Sequence, residues 1–360
     1  MKKRKPIIAM DLSSSGKGGG PYTSTSRTIS SGLKDKYDFK VINYRTELGR
    51  GISIKRIKDI VNQINEIKPD IIHYTGLQLS GFHMAVACRL SGIKKTIVTV
   101  RGFSGDAMYF NKFKKAITKY ILEPITLILA QKVIGVSEYV VSRKSINFFA
   151  SKKSIAIYNF PPITTNNGHD KSLREIMNFT QNDILVVTVA RIIKDKGYHI
   201  FDEAILDFNN NKNIKFLIVG GGDYLETMKE KLDKMTKNKQ VFFLGYRNDI
   251  DFILNSCDIF VLPTLHETLS VALLEASNAG LALIASNTGG VPEIVKNDFN
   301  GKLVPPGNAK ELSKALSLLI NNRHLIDQFG NNAKKNIQLK FSSKSIENKL
   351  EYVYESLLKG

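Results

Sequence analysis

The sequence has no tryptophan and only two cysteines among its 360 residues. Cys88 and Cys257 lie far apart in apolar settings, which is too little for a disulfide framework or a zinc site. Two buried free thiols in a reducing cytosol are the expectation. No apolar run approaches the ~20 residues that a membrane-spanning helix needs. A signal peptide is not expected either. Met1–Lys5 is basic, but Pro6–Asp11 is too short for an apolar core, and Asp11 interrupts it. The missing tryptophan, with abundant Lys, Asn and Ile, reads as a base-composition bias rather than a functional signal.

Acidic residues are scarce in one half only. Residues 1–165 hold 28 Lys and Arg against 10 Asp and Glu, a net +18, while residues 166–360 hold 24 against 23. A basic half suits nucleic acid, an anionic membrane surface or an acidic small molecule, or is a solvated surface with no partner.

Short β-branched apolar runs alternate with helical patterns from end to end. In the first half the strands read as Pro6–Met10, Lys40–Tyr44, Asp70–Tyr74, Thr96–Val100, Lys132–Val136 and Ser154–Tyr158. In the second they read as Ile184–Ala190, Lys215–Val219, Val241–Leu244, Ile259–Leu262 and Ala282–Ala285. Helical stretches include Ile54–Ile67, Phe82–Leu90, Tyr198–Phe208, Tyr224–Met235 and Val271–Ala279. This alternation predicts α/β architecture with parallel, doubly wound sheets. The polar Pro/Asn/Gly segment around Thr164–Gly168 is the natural linker. Two Rossmann-like domains follow, residues 1–164 and 165–341, with a tail helix over Ser342–Leu358 packing back on the first. Sheets of this kind bind ligands beyond the carboxyl ends of their strands, so two of them would face each other across a deep cleft.

The richest chemistry lies in Thr264–Glu275, TLHETLSVALLE. Glu267 is placed at a strand's carboxyl end, just before a helix expected to start near Ser270 and stop at Gly280. Backbone N–H groups around Thr268, Leu269, Ser270 and Val271 would be unpaired donors at that helix start, suited to a diphosphate. Glu275 falls one turn further in. Either carboxylate alone is an ordinary surface residue, but together in this context they suit the hydroxyls of a sugar or ribose. Arg191, Lys194 and Lys196 follow the first strand of the second half, and Gly197 opens the next helix. Arg and Lys there would clamp phosphate, although surface cations alone would look the same.

On these residues the sequence resembles the retaining glycosyltransferases of family 4, with the GT-B fold, of the bacterial surface-polysaccharide type. The resemblance covers essentially the whole chain and is strongest over Ile184–Pro306. The family's Glu-x7-Glu element matches Glu267 and Glu275. Its Arg…Lys-Gly element matches Arg191, Lys196 and Gly197, and its Gly-Gly-x-x-Glu segment matches Gly289, Gly290 and Glu293. The resemblance implies Arg191 and Lys196 on the donor diphosphate, Glu275 on the ribose and Glu267 on the donor sugar. It implies Gly245, Tyr246 and Arg247 in the nucleobase loop, and Gly19 and Gly20 in a glycine loop over donor and acceptor. His73 matches a family histidine on the acceptor side, and a core histidine is its other reading. Many members carry a His where this chain has Arg101. Arginine stays protonated and cannot act as a base, but it could steady the departing diphosphate.

The implied reaction is metal-independent transfer, with retention, of a hexose or N-acetylhexosamine from a nucleotide-sugar to a glycan or lipid-linked acceptor. UDP is the family's commonest nucleotide, and no cofactor is implied. The basic amphipathic stretch Phe110–Lys132 adds an anionic membrane surface as partner, at the inner face of the plasma membrane. Nucleic acid is not expected, because no aromatic-interleaved basic motif is present. Lys17 followed by Gly18, with no first glycine, excludes a P-loop, and no Gly-x-Gly-x-x-Gly opens either half. A sugar-nucleotide epimerase of the same fold and a non-catalytic basic binding module are the alternatives.

Overall fold

The computed structural model describes residues 4–13, 20–106, 111–162 and 171–359. Two compact units divide the chain. The first is Met1–Phe160 with Phe341–Gly360, and the second is Pro161–Lys340. The linker read over Thr164–Gly168 lies outside the described residues, apart from the prolines that precede it.

The first unit holds strands β1 (Ile7–Ser13), β2 (Asp38–Tyr44), β3 (Ile71–Thr75), β4 (Thr96–Val100), β5 (Lys132–Gly135) and β6 (Ser154–Ala156), in the order β2-β1-β3-β4-β5-β6. The second holds β7 (Ile184–Val189), β8 (Ile214–Val219), β9 (Val241–Gly245), β10 (Ile259–Leu262), β11 (Ala282–Ser286) and β12 (Gly301–Val304), in the order β12-β11-β10-β7-β8-β9. Every neighbouring pair is parallel. The residue choice explains this. β10 (IFVL) is apolar throughout, and β4, β10 and β11 are buried at every position without alternation, as strands covered by helices on both faces must be. In each sheet the strand order reverses beside the first strand, so the loops after β1 and β7 lie at a switch point.

Some elements depart from the sequence reading. β12 was not foreseen: it is four residues long, begins at a glycine and lies beside β11 at the sheet's edge. Gly301 there lies so close to β11 that a Cβ would fall 2.2 Å from the Leu283 carbonyl oxygen. The expected helix Tyr224–Met235 is two shorter helices, Leu225–Lys231 and Asp233–Lys237, broken at Leu232. The buried face continues through Met228, Leu232 and Met235, so hydrophobic periodicity alone shows no break.

The tail helix runs Ser343–Lys359, with the Ser342 hydroxyl accepting the Ser345 N–H at 3.3 Å. Its buried Ile346, Leu350, Val353, Tyr354 and Leu357 are the residues its apolar pattern marks. It is fastened within the first unit, where Gly32 N–H donates to Glu347 at 2.8 Å. No helix among the described residues is long and apolar enough to cross a membrane.

Candidate active site

In the second unit three loops leave the carboxyl ends of β7, β10 and β11, and their backbones are laced together. Leu265 N–H donates to Asp195 O at 2.9 Å, which ties the β10 loop to the β7 loop. Gly290 N–H donates to Glu267 O at 3.1 Å, which ties it to the β11 loop. The closest approach is at Gly197. Its φ is +73°, and a Cβ would lie 1.8 Å from the Pro263 carbonyl oxygen. Only glycine fits there.

This lacing sets the side chains. Lys196 Nζ donates to Glu267 Oε2 at 2.7 Å, across 71 residues of sequence, with both side chains mostly buried. Glu267 Oε1 accepts the Thr268 N–H at 3.1 Å. That corrects one expectation: the Thr268 N–H is engaged by its neighbour rather than waiting at the helix start. The helix runs Val271–Ala279 with Ser270 as its cap, the hydroxyl accepting the Leu273 N–H at 3.1 Å. Thr268, Leu269 and Ser270 are buried. By helix geometry the N–H groups of Val271 and Ala272 have no partner within the helix. Glu275 sits half-buried one turn in, and Gly280 ends the helix at φ +83°. Arg191 is exposed at the start of the β7 loop. Glu293 lies in the first turn of the short helix Val291–Ile294.

A second seam was not read from the sequence. The glycines after β8 strap the β7 and β9 loops: Ile192 N–H donates to Gly221 O at 2.9 Å, and Gly220 N–H donates to Gly245 O at 2.8 Å. A Cβ on Gly221 would lie 2.6 Å from the Tyr246 ring. The run Gly220-Gly221-Gly222 was visible, but its service to this ring was not. Tyr246 is largely exposed, and Arg247 grips Asp249 with two hydrogen bonds of 2.8 and 2.5 Å.

In the first unit, Gly20 begins the helix Gly20–Ser30, whereas Gly19 lies outside the described residues. Arg101 follows β4 and donates from Nη1 to Asn159 Oδ1. His73 is not placed for contact with an acceptor. Its ring nitrogens meet the hydroxyls of Tyr354 at 2.8 Å and Thr99 at 2.7 Å, and the ring is buried. Burial, with the Arg101 charge nearby, pushes it down to about 3, so it is a neutral core histidine.

Asp11 carries no role in the sequence reading, yet it is a buried acid at the same strand ends. Its Oδ1 accepts the Thr75 N–H at 2.8 Å. The signal was a single acid inside the otherwise apolar strand IIAMDLS.

Residues 170–336 match the family described as glycosyl transferases group 1, and residues 24–132 match the family described as glycosyl transferase 4-like. A capsular polysaccharide biosynthesis glycosyltransferase of Staphylococcus aureus is 27% identical over 337 residues, covering 89% of this chain and 85% of that protein. The UDP-Gal:alpha-D-GlcNAc-diphosphoundecaprenol alpha-1,3-galactosyltransferase of Escherichia coli is 30% identical over 289 residues, covering 75% and 72%. Among solved structures, Anabaena HepE in complex with UDP-glucose superposes with a TM-score of 0.77 at 19% identity, covering 97% of this chain and 99% of that one. Two parallel sheets of six strands, a fold shared along nearly the whole length and relatives matching across both halves lead to one assignment: the chain belongs to the glycosyltransferases of GT-B fold and family 4 type.

Proposed function

We propose that the chain is a retaining transferase that moves a hexose or N-acetylhexosamine from a UDP-sugar to a glycan or lipid-linked acceptor in surface-polysaccharide synthesis. The observation that carries this is the Lys196–Glu267 pair at 2.7 Å, held at a helix start by loops from separate strands. In this reading Lys196 and Arg191, with the Val271 and Ala272 N–H groups, take the diphosphate charge as the glycosidic bond loosens. Glu267 orients the sugar and Glu275 the ribose. The nucleobase rests in the loop Gly245, Tyr246 and Arg247. The acceptor hydroxyl attacks from the face the diphosphate leaves and gives its proton to it, so no side-chain nucleophile or metal is used. The first unit takes the acceptor.

The relatives' names support the substrate class. The E. coli relative uses UDP-Gal and a diphosphoundecaprenol acceptor by name, and a Campylobacter jejuni relative is also named for a diphospho-undecaprenol acceptor. A panel of UDP-, GDP- and dTDP-sugars tests the donor. A UDP-sugar should raise the melting temperature in a concentration-dependent way and support transfer with an α-anomeric product by NMR. Stabilisation by none of the panel would sink the reading, and conversion of donor alone into its epimer would replace it with the epimerase.

The same reading puts the protein at the inner membrane surface. Phe113, Tyr120, Ile121 and Ile128 are exposed in the stretch that also carries Lys112, Lys114, Lys115 and Lys119. Apolar rings among lysines suit an anionic interface. Sedimentation with phosphatidylglycerol vesicles should capture the protein at low salt and release it at high salt, while neutral phosphatidylcholine vesicles capture little. Equal capture by both would remove the charge argument.

A further inference from the structure

We propose that Gly221 is a positioning residue for donor binding: the notch left by its missing side chain holds the Tyr246 ring as a platform on which the donor's nucleobase stacks. The proposal rests on the reading of Gly245, Tyr246 and Arg247 as the nucleobase loop, and it adds what fixes the ring there.

The three glycines after β8 are not alike. At Gly220 and Gly222 the backbone demands glycine. Their φ angles are +132° and +154°. A Cβ would lie 2.0 Å from the Ala190 carbonyl oxygen at the first and 2.5 Å from the Ile192 carbonyl oxygen at the second. No side chain fits at either place. Gly221 has neither reason. Its φ is not positive, and the three atoms nearest to an added Cβ all belong to one side chain. They are Cε2, Cζ and the hydroxyl of Tyr246, at 2.6, 3.0 and 3.3 Å. The backbone of the strap would accept alanine here, and what alanine would disturb is the tip of one ring.

Tyr246 follows Gly245, which ends β9 at φ +65°, and 78% of the tyrosine is exposed. An exposed aromatic on a turn has several staggered rotamers open to it. Packing the ring's edge against an α-carbon removes that freedom and leaves ring surface open to a ligand. An aromatic body with a fixed edge and an open face suits a planar base.

The seat itself is rigid. The Gly221 carbonyl accepts the Ile192 N–H at 2.9 Å, and the Ile192 carbonyl accepts the Tyr224 N–H at 3.0 Å. The strap thus holds the residue after Arg191 by both its backbone groups. Gly220 N–H donates to the carbonyl of Gly245, the residue before Tyr246, at 2.8 Å. The end of the strap is anchored by the buried Tyr224, whose hydroxyl donates to Asp202 Oδ2 at 2.6 Å. Asp202 is fully buried on the helix Tyr198–Ile205, which starts just after Lys196. Gly221 therefore sits on backbone tied both to the proposed diphosphate residues and to the proposed base platform.

The test is UDP binding to the full-length protein by isothermal titration calorimetry, for Gly221→Ala, Tyr246→Ala and the double variant. Tyr246→Ala should weaken UDP by about 5- to 100-fold, the usual loss when a base is deprived of its aromatic platform. Gly221→Ala should weaken it by about 2- to 10-fold, the cost of ordering one displaced side chain on binding. It should keep the wild-type melting temperature, because the atoms that must move are a side-chain tip at the surface. Without the Tyr246 ring the added methyl has nothing to push, so the double variant should bind UDP as Tyr246→Ala does. In transfer assays the Gly221→Ala loss should appear in donor KM rather than in kcat, since the ring holds the base alike in the ground and transition states.

Wild-type protein that does not bind UDP, or Tyr246→Ala that binds it as the wild type does, would overturn the nucleobase reading and the Gly221 proposal with it. A weakened Tyr246→Ala beside an unchanged Gly221→Ala would leave that reading standing and overturn the proposal alone. So would a Gly221→Ala loss of equal size in both backgrounds, or a lowered melting temperature that persists in the double variant.

Discussion

Lys196→Ala should lower kcat/KM for transfer by about 10²–10³, the usual cost of removing one preorganised group that stabilises developing charge. The structure adds a second reason to the charge argument. Lys196 is the cation on Glu267 at 2.7 Å, and the two side chains are only 20% and 13% exposed. Removing it both withdraws a positive charge from the proposed diphosphate site and leaves Glu267 with the Thr268 N–H as its remaining partner among the described residues. Glu267→Gln keeps an acceptor for that N–H and removes the charge, so it separates orientation from electrostatics. Because the two residues share one contact, the double variant should lose much less than the product of the single losses. Glu275→Ala, one turn along the helix, should raise the donor KM as well as cost turnover, since its proposed contact is with the ribose. Initial rates with the best donor, beside melting curves that show each variant folded, decide these points. Near-wild-type turnover in Lys196→Ala and Glu275→Ala would remove the site assignment.

How much of this was legible in the sequence depends on how local each feature is. Eleven strands could be read because covered parallel strands are largely continuous apolar runs, and GKLV at Gly301–Val304 opens on glycine and lysine and so has no such run to register. The helix Val271–Ala279 was legible at both ends because Ser270 and Gly280 are capping residues with a physical reason to stand there. Glu267, Lys196 and Gly197 carry local motifs, so their placement after strand ends followed from the strand pattern, as did that of Glu275 in the helix that comes next. The Lys196–Glu267 bond did not, because β10 lies beside β7 only through the sheet order. The same holds for Asp11 and Thr75, which are 64 residues apart and meet only because β3 pairs with β1. His73 had two readings in the sequence. Its choice between them depended on Tyr354, 281 residues away on the tail helix. Gly221 could be seen as one glycine of three, but its reason is a ring from the loop after β9.

Gly197→Ala should be among the most damaging single-methyl changes in the second unit, and for a reason that reaches the site. Two effects add. At φ +73° an L side chain is strained, which costs of order 1–3 kcal/mol. The new Cβ would also lie 1.8 Å from the Pro263 carbonyl oxygen and 2.6 Å from its carbon. Backbone cannot yield as a side-chain tip can, so the β7 and β10 loops must part. A further cost of about 1–3 kcal/mol is typical of such overpacking. Together these predict a loss of about 2–6 kcal/mol, or roughly 4–24 °C in melting temperature for a unit of this size. The displacement falls between Lys196 and Pro263, next to the Leu265 N–H to Asp195 O bond that laces the loops. Activity measured well below the melting temperature should therefore fall too, with donor KM rising, because Lys196 and Glu267 would no longer be held at 2.7 Å. Gly92→Ala is the control: its φ is +74° with open space at the Cβ, so it carries the strain without the clash. It should lose only the strain cost and keep its donor KM. If Gly197→Ala were no worse than Gly92→Ala in stability or in KM, the close approach of the two loops would not be what holds the Lys196–Glu267 pair.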